Sequence, residues 1–230
     1  VPFKDELIVA GDFINVGLHI PASIVRWDGE TYHELTDLGP NNAVFDLAVY
    51  KGDLYVAGWF RFHDSWEEKA RPINFIARWD GEKWDPVGEG LSDSVYTLAV
   101  YNDRLYAGGD FTEAGGASAN YIAAWDGQSW QAVGEGVDGP VRAMTTFNDG
   151  SGEALIVGGQ FTSAGGGIDA GRIARWSGSA WSALGRGFDD EVMGLYAITE
   201  GPLAPALIAG GDFYRAGDKD TSRIAIWRKE

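Results

Sequence analysis

Apolar and polar positions alternate along this chain in short bursts, each closed by Gly, Asn or Asp. The clearest stretch runs from Val95 to Val133. There Val95 to Tyr101 alternates and ends at Asn102-Asp103, Leu105 to Gly109 follows, Tyr121 to Trp125 ends at Asp126-Gly127, and Trp130 to Val133 closes the unit. A period of two over four to seven residues predicts strands, and no helical period follows the glycine pairs. Turns rich in Gly, Asn and Asp join antiparallel neighbours, because these residues accept the positive φ of tight hairpins. The unit therefore reads as a meander of four strands, here a to d.

Copies of the unit recur about every fifty residues. A Gly-x-Phe triplet closes strand b at Gly11, Gly58, Gly109, Gly159 and Gly211, and strand c ends on Trp27, Trp79, Trp125, Trp176 and Trp227. Self-similarity at this period, with glycines and aromatics at fixed offsets, is the signature of a β-propeller with one four-stranded blade per repeat. The expectation is an all-β, five-bladed propeller occupying residues 1–230 as one domain, with blades at about 1–38, 43–90, 94–136, 140–187 and 191–230. Both terminal blades read as incomplete. The first holds only the tail of strand a, Val1 to Phe3, and the last has Val192 to Ile198, Leu207 to Gly211 and Arg223 to Trp227 with no fourth strand. An open edge on strand c is a template for pairing, so the last blade either has three strands or receives one from an upstream segment or another chain. Because Val1 to Phe13 aligns with Ala48 to Phe60, part-way through a repeat, the chain reads as an excised or processed piece.

Composition narrows the partners. A formal net charge of −16 argues against capture of nucleic acid or an anionic membrane. The absence of cysteine excludes disulfides, a thiol nucleophile and zinc–thiolate sites. No apolar run approaches the roughly 20 residues that span a bilayer.

The repeat LYAGGDFTEAGGASANYIAAWDGQSWQAVGEG, Leu105 to Gly136, resembles kelch and galactose-oxidase-type propellers. It is more closely similar to uncharacterised bacterial surface or secreted proteins related to a fungal cortical polarity marker. The resemblance implies a propeller with an interaction role, an extracellular or cell-envelope location, and no activity. Copper-radical chemistry is excluded, since it needs a Cys-modified Tyr and this chain has no Cys. The histidines, His19, His33 and His63, lack metal-ligand spacing. No Gly-x-Ser-x-Gly elbow is present, and the glycine pairs do not open a helix as a phosphate loop must.

A glycosidase needs paired carboxylates at the channel. The aligned inner-strand position reads Asp46, Thr97, Ala143 and Gly194, which supplies one, and Arg142 stands close enough in the repeat to pair with it. The acid after strand b, at Asp12, Asp110 and Asp212, suits capping of loop amides better than Ca²⁺, so no cofactor is expected and calcium is the weaker alternative. Asp149 to Glu153 resembles part of a calcium loop but reads better as a hairpin. Arg26, Arg78 and Arg175, beside the strand-c Trp residues, suggest salt bridges between blades or stacking, and not anion binding.

Function is sought where a repeat breaks its own rule. The second b–c loop, Arg61 to Asn74, replaces Ala-Gly-Gly and adds Phe62, His63 and Trp66 beside Trp59. With Asp46 and Tyr214, these residues mark the candidate binding face at the b–c and d–a loops, with His19 and Asp189 to Glu191 as further departures. The reading is a non-enzymatic binding or scaffolding module of a larger surface or secreted protein, taking a protein or glycan. The alternatives are a carbohydrate-active enzyme with acidic residues at the channel mouth, or an assembly protein completed by strand donation.

Overall fold

The computed structural model describes residues 1–13, 23–35, 39–65 and 71–228. All regular structure among them is β. The first sheet is β1 (Pro2–Phe3), β2 (Glu6–Ala10), β3 (Ile24–Trp27) and β4 (Tyr32–Glu34), and the second is β5 (Val44–Tyr50), β6 (Asp53–His63), β7 (Pro72–Trp79) and β8 (Trp84–Pro86). The third consists of β9 (Val95–Tyr101) and β10 (Arg104–Gly109), then a small hairpin β11 (Glu113–Ala114) and β12 (Ala117–Ser118), then β13 (Ile122–Trp125) and β14 (Trp130–Ala132). The fourth repeats this plan with β15 (Val141–Asn148), β16 (Glu153–Gly159), the hairpin β17 (Ser163–Ala164) and β18 (Ile168–Asp169), β19 (Ile173–Trp176) and β20 (Trp181–Ala183). The last has β21 (Val192–Ile198), β22 (Ala206–Gly211), the hairpin β23 (Arg215–Ala216) and β24 (Lys219–Asp220), and β25 (Ile224–Arg228); β21, β22 and β25 form a three-stranded sheet among the described residues.

Each sheet is an antiparallel meander, and successive sheets pack in a row: β2 lies against β5, β5 against β9, β9 against β15 and β15 against β21. Their interfaces hold the core. Tyr106, Ile122 and Ala124 of the third sheet meet Leu155, Val157, Ala174, Trp176 and Trp181 of the fourth. Tyrosines tie neighbours polarly: the Tyr50 hydroxyl donates to Asp103 O at 2.8 Å, and the Tyr101 hydroxyl lies 3.0 Å from both Glu153 O and Ser177 O.

The Gly-x-Phe triplet has a steric origin. A Cβ on Gly58, Gly109, Gly159 or Gly211 would stand 2.0–2.1 Å from a main-chain oxygen at the start of its own sheet's first strand. That approach lets Asp110 N–H bond Ser94 O at 3.0 Å and Gln160 N–H bond Pro140 O at 2.9 Å. One residue further, Phe60, Phe111, Phe161 and Phe213 are among the largest fully buried side chains. Strand c begins one residue later than the alternation predicts, because Tyr121 and Arg223 have φ of 64° and 67° and leave the β region.

The row has two open ends. Ile224 on β25 is 63% exposed, whereas its counterparts Ile122 and Ile173 are at most 2% exposed. Tyr196, Ile208 and Ile226 are cross-strand neighbours on that same face. At the other end Leu7 is 44% exposed, while Leu54, Leu105 and Leu155 are fully buried.

Candidate functional site

The first strands of the sheets begin along one rim of the row, and the second residues of β5, β9, β15 and β21 are Phe45, Tyr96, Arg142 and Met193. Phe45, Tyr96 and Arg142 make a continuous chain of contacts. The Phe45 and Tyr96 rings lie 5.3 Å apart, and the Arg142 guanidinium sits 4.2 Å over Tyr96. Arg142 Nε donates to Glu191 at 2.8 Å and its Nη1 lies 3.5 Å from Asp110, while the Tyr96 hydroxyl donates to Asp110. Gln160 adds a bond to the second Glu191 oxygen at 2.9 Å. Burial, and then the bond to Asp110, push the Tyr96 phenol above its usual range. Phe45 and Met193, at the two ends of this line, are exposed.

The residues singled out from sequence fall around this rim in unequal ways. Trp59 is 56% exposed, and its N–H bonds Ala43 O beside the start of β5. Phe62 is partly buried and turns inward, 5.8 Å from Phe60 and edge-on to Trp84 at 5.6 Å. His63 is exposed at the end of β6, opposite Pro72. The expanded second repeat is thus a longer hairpin at its base, with Arg61, Phe62 and His63 paired to Asn74, Ile73 and Pro72. Tyr214 is exposed on the loop that follows β22 and accepts a bond from Arg223 at 2.9 Å. Trp66 and His19 lie outside the described residues.

Asp46 does not meet Arg142, whose charge is taken by Glu191 and Asp110. Instead, one Asp46 oxygen accepts from Leu98 N–H at 2.7 Å in the next sheet, and the other from Leu47 N–H at 2.8 Å. Burial raises its pKa, and the bonds from Leu98, Leu47 and Thr97 oppose that rise. The neighbouring repeat uses the same position in the same way, since Thr97 Oγ1 accepts from Met144 N–H at 3.2 Å. This position is a clasp between the first strands of successive sheets.

Two other recurring motifs hold their repeats together differently from the sequence expectation. Loop amides after strand b are capped by the residue that precedes the sheet, not by the acid of the Gly-x-Phe triplet. Asp138 accepts from the N–H groups of Thr162 and Ser163 at 2.7 Å, Asp189 from Tyr214 and Arg215, Ser92 from Thr112 and Glu113, and Asn41 from Arg61. Asp110 and Asp212 are engaged by side chains, Asp110 by Tyr96 and Arg142 and Asp212 by Arg223. The strand-c arginines pair within their own sheets: Arg26 with Glu6, Arg78 with Asp85 at 2.8 Å, and Arg175 with Asp149 at 3.9 Å. The segment from Asp149 to Gly152 is the hairpin turn between β15 and β16. Among the described residues, no three acidic or histidine side chains gather as metal ligands.

The inner line at Phe45, Tyr96 and Met193 escaped the sequence reading. Its signal was present: one position of the repeat reads Phe, Tyr, Arg, Met while its neighbour on the core side reads Val throughout.

No family model and no curated protein matches the chain. Among solved structures, the computationally designed Ika4 protein is similar with a TM-score of 0.49 at 13% identity, over 85% of this chain and 98% of that one. The computationally designed Ika8 protein gives a TM-score of 0.45 at 14% identity, over 99% of this chain and 69% of that one. No helix among the described residues is long and apolar enough to cross a membrane.

Proposed function

We propose that the five sheets are blades of a propeller, and that the protein is a non-enzymatic binding or scaffolding module of a larger surface or secreted protein. The propeller reading is supported by repeated four-stranded meanders whose first strands lie side by side along the row. Completing a ring would cover the end faces that carry Leu7 and Ile224.

The observation that carries the binding reading is how the polar groups are used. Asp46, the carboxylate at the aligned inner position, has both oxygens committed to backbone N–H groups. Arg142 is held between Glu191 and Asp110. What remains accessible on the rim is Phe45, Trp59 and Met193, beside the stack of Arg142 on Tyr96. Aromatics, Met and Arg are the residue types enriched where proteins bind proteins, so a protein surface is favoured over a glycan.

The test is binding of the wild-type chain to protein and glycan arrays beside the double variant Phe45→Ser, Trp59→Ala. Both side chains are about half exposed, so the variant should keep its Tm and lose the ligand. Retained binding by the variant would remove the rim from consideration. Turnover of a glycan that Asp46→Asn abolishes would establish the enzyme alternative instead.

A further inference from the structure

The crossing from the third sheet to the fourth holds a crevice of about 470 Å³. That volume lies within the roughly 300–1,000 Å³ of small-molecule sites. Three segments wall it: Asn120 and Tyr121 before β13, Glu135 and Asp138 in the link into the fourth sheet, and Ser163 and Gly166 of the small hairpin β17–β18. Hydrogen bonds fix these walls. Asn120 Nδ2 donates to Glu135 O at 2.9 Å, Val137 N–H donates to Asn120 O at 3.2 Å, and Asp138 accepts from the N–H groups of Thr162 and Ser163 at 2.7 Å. The Glu135 carboxylate reaches over Gly166, into the space that a Cβ there would take.

Tyr121 is where this repeat departs from the others. The same position is Phe75, Arg172 and Arg223 in the second, fourth and last sheets, all at positive φ. Phe75 is buried, with the Arg61 guanidinium 5.0 Å over its ring. Tyr121 packs on the core yet stays partly exposed. Among the described residues no second ring or cation stacks on it, and its hydroxyl has no hydrogen-bond partner. The groups beside it keep acceptor capacity: Asn120 Oδ1, the Glu135 carboxylate, and the second Asp138 oxygen, which takes only the Thr162 hydroxyl. The Ser163 hydroxyl adds a donor, and no cationic side chain lines the crevice. A metal is disfavoured, since no three acidic or histidine side chains gather among the described residues. A guanidinium or ammonium would satisfy the acceptors but, having no acceptor itself, would leave the Tyr121 and Ser163 hydroxyl protons unclaimed. A sugar hydroxyl both donates and accepts, and the C–H face of a pyranose lies flat on a tyrosine ring.

We infer that this crevice is a binding site for a neutral pyranose unit of a glycan, stacked on Tyr121 and hydrogen-bonded by Asn120, Glu135, Asp138 and Ser163. The crevice shares no residue with the rim of Phe45, Trp59 and Met193, so the two surfaces stand or fall separately. Glu135 and Asp138 also set its specificity, because like charge rejects uronic and sialic acids.

The test is titration of the chain with the methyl glycosides of glucose, galactose, mannose and N-acetylglucosamine, and with cellobiose and lactose, followed by backbone amide NMR. Saturable binding of at least one is expected, with shifts centred on Asn120, Tyr121 and the link from Glu135 to Asp138, and none with methyl glucuronide. Tyr121→Ala should weaken that binding at least about tenfold, through loss of the stacking surface and the hydroxyl. Glu135→Gln, on an exposed side chain, should weaken it about three- to tenfold through loss of charge-assisted bonds. If Tyr121→Ala does not fold, Glu135→Gln and Ser163→Ala decide in its place. Absence of shifts from every neutral sugar at concentrations on the order of 50 mM would overturn the assignment. So would unchanged affinity in the variants, equal binding of the glucuronide, or sugar-induced shifts at Phe45 and Trp59 with none in the crevice. Tighter binding of arginine methyl ester at the same amides would overturn it in favour of a basic peptide.

Discussion

Gly159→Ala tests the steric account of the repeat most directly. A Cβ at this position would lie 2.1 Å from Pro140 O and 3.0 Å from Val141 Cα, both main-chain atoms that cannot rotate away. Restoring ordinary contact requires the two strands to part by roughly 1 Å. That movement carries the Gln160 N–H to Pro140 O bond from 2.9 Å past the limit of about 3.5 Å and strains the neighbouring Gly159 N–H to Arg172 O bond of 3.0 Å. One lost bond costs about 1 kcal/mol and overpacking about 1–3 kcal/mol more, so the total is about 2–4 kcal/mol. For a chain of this length that is a fall in Tm of roughly 5–15 °C. The control is Gly194→Ala, where a Cβ would meet nothing within 4 Å and φ is open to L-residues. That change should be neutral or stabilising by up to about 1 kcal/mol, through the unfolded state. Thermal unfolding followed by circular dichroism reads both. If Gly159→Ala lost less than about 0.5 kcal/mol, or if the two variants behaved alike, close strand approach would not be the reason for the glycine.

Three further outcomes follow from the same geometry. Asp46→Ala should destabilise by about 2–4 kcal/mol by leaving the Leu98 and Leu47 N–H groups without their acceptor, with Asp46→Asn recovering part, as read by urea titration. Because burial raises the Asp46 pKa, the fold favours its protonated form; that stabilisation is present at acid pH and lost as pH rises through the folded value, so wild type should gain on Asp46→Asn when acidified. Asp138 behaves oppositely: burial raises it, but bonds from Ser163 and Thr162 carry it below the usual range, so its stabilisation is present at neutral pH and is lost as pH falls through that lowered value. Asp138→Ala should cost about 1 kcal/mol at neutral pH, after allowance for solvent screening, and almost nothing at strongly acid pH. Finally, Ile173→Ala should cost about 2–5 kcal/mol while Ile224→Ala costs less than about 1 kcal/mol, because only the first is covered; equal losses would mean that another sheet closes over the last one in solution.

How much of this was legible in the sequence depends on whether a position does the same job in every repeat. The strands, the turns and the Gly-x-Phe triplet were legible because period-two alternation and backbone sterics act locally and recur. Tyr121 and Arg223 were misread as strand residues, since nothing in their side chains announces a left-handed φ that the surrounding hydrogen bonds impose. The partners of Arg78 and Asp110 were misplaced for a different reason. A recurring charge says that a bond is made but not whether it lies across the hairpin or across the interface, and Asp85 and Tyr96 are identified only once register is known. Trp59 and Phe62 read alike in sequence, yet Phe62 has Trp84 behind it and Trp59 has solvent.

The same reasoning separates scaffold from surface in this chain. Repeat positions that face a neighbouring sheet keep one residue type, since each must fit the same partner: Val at Val44, Val95, Val141 and Val192, and Phe at Phe60, Phe111, Phe161 and Phe213. The adjacent rim position, where neighbours meet by ring and guanidinium stacking and not by burial in the core, drifts through Phe45, Tyr96, Arg142 and Met193. In the last repeat identity and exposure part: Ile224 keeps the residue type of Ile122 and Ile173, which are at most 2% exposed, although it is itself 63% exposed. Trp227 likewise keeps its place, edge-on to Phe147 at 5.6 Å. The place in the repeat, and not the exposure found at the end of the row, is what fixes the residue at these positions.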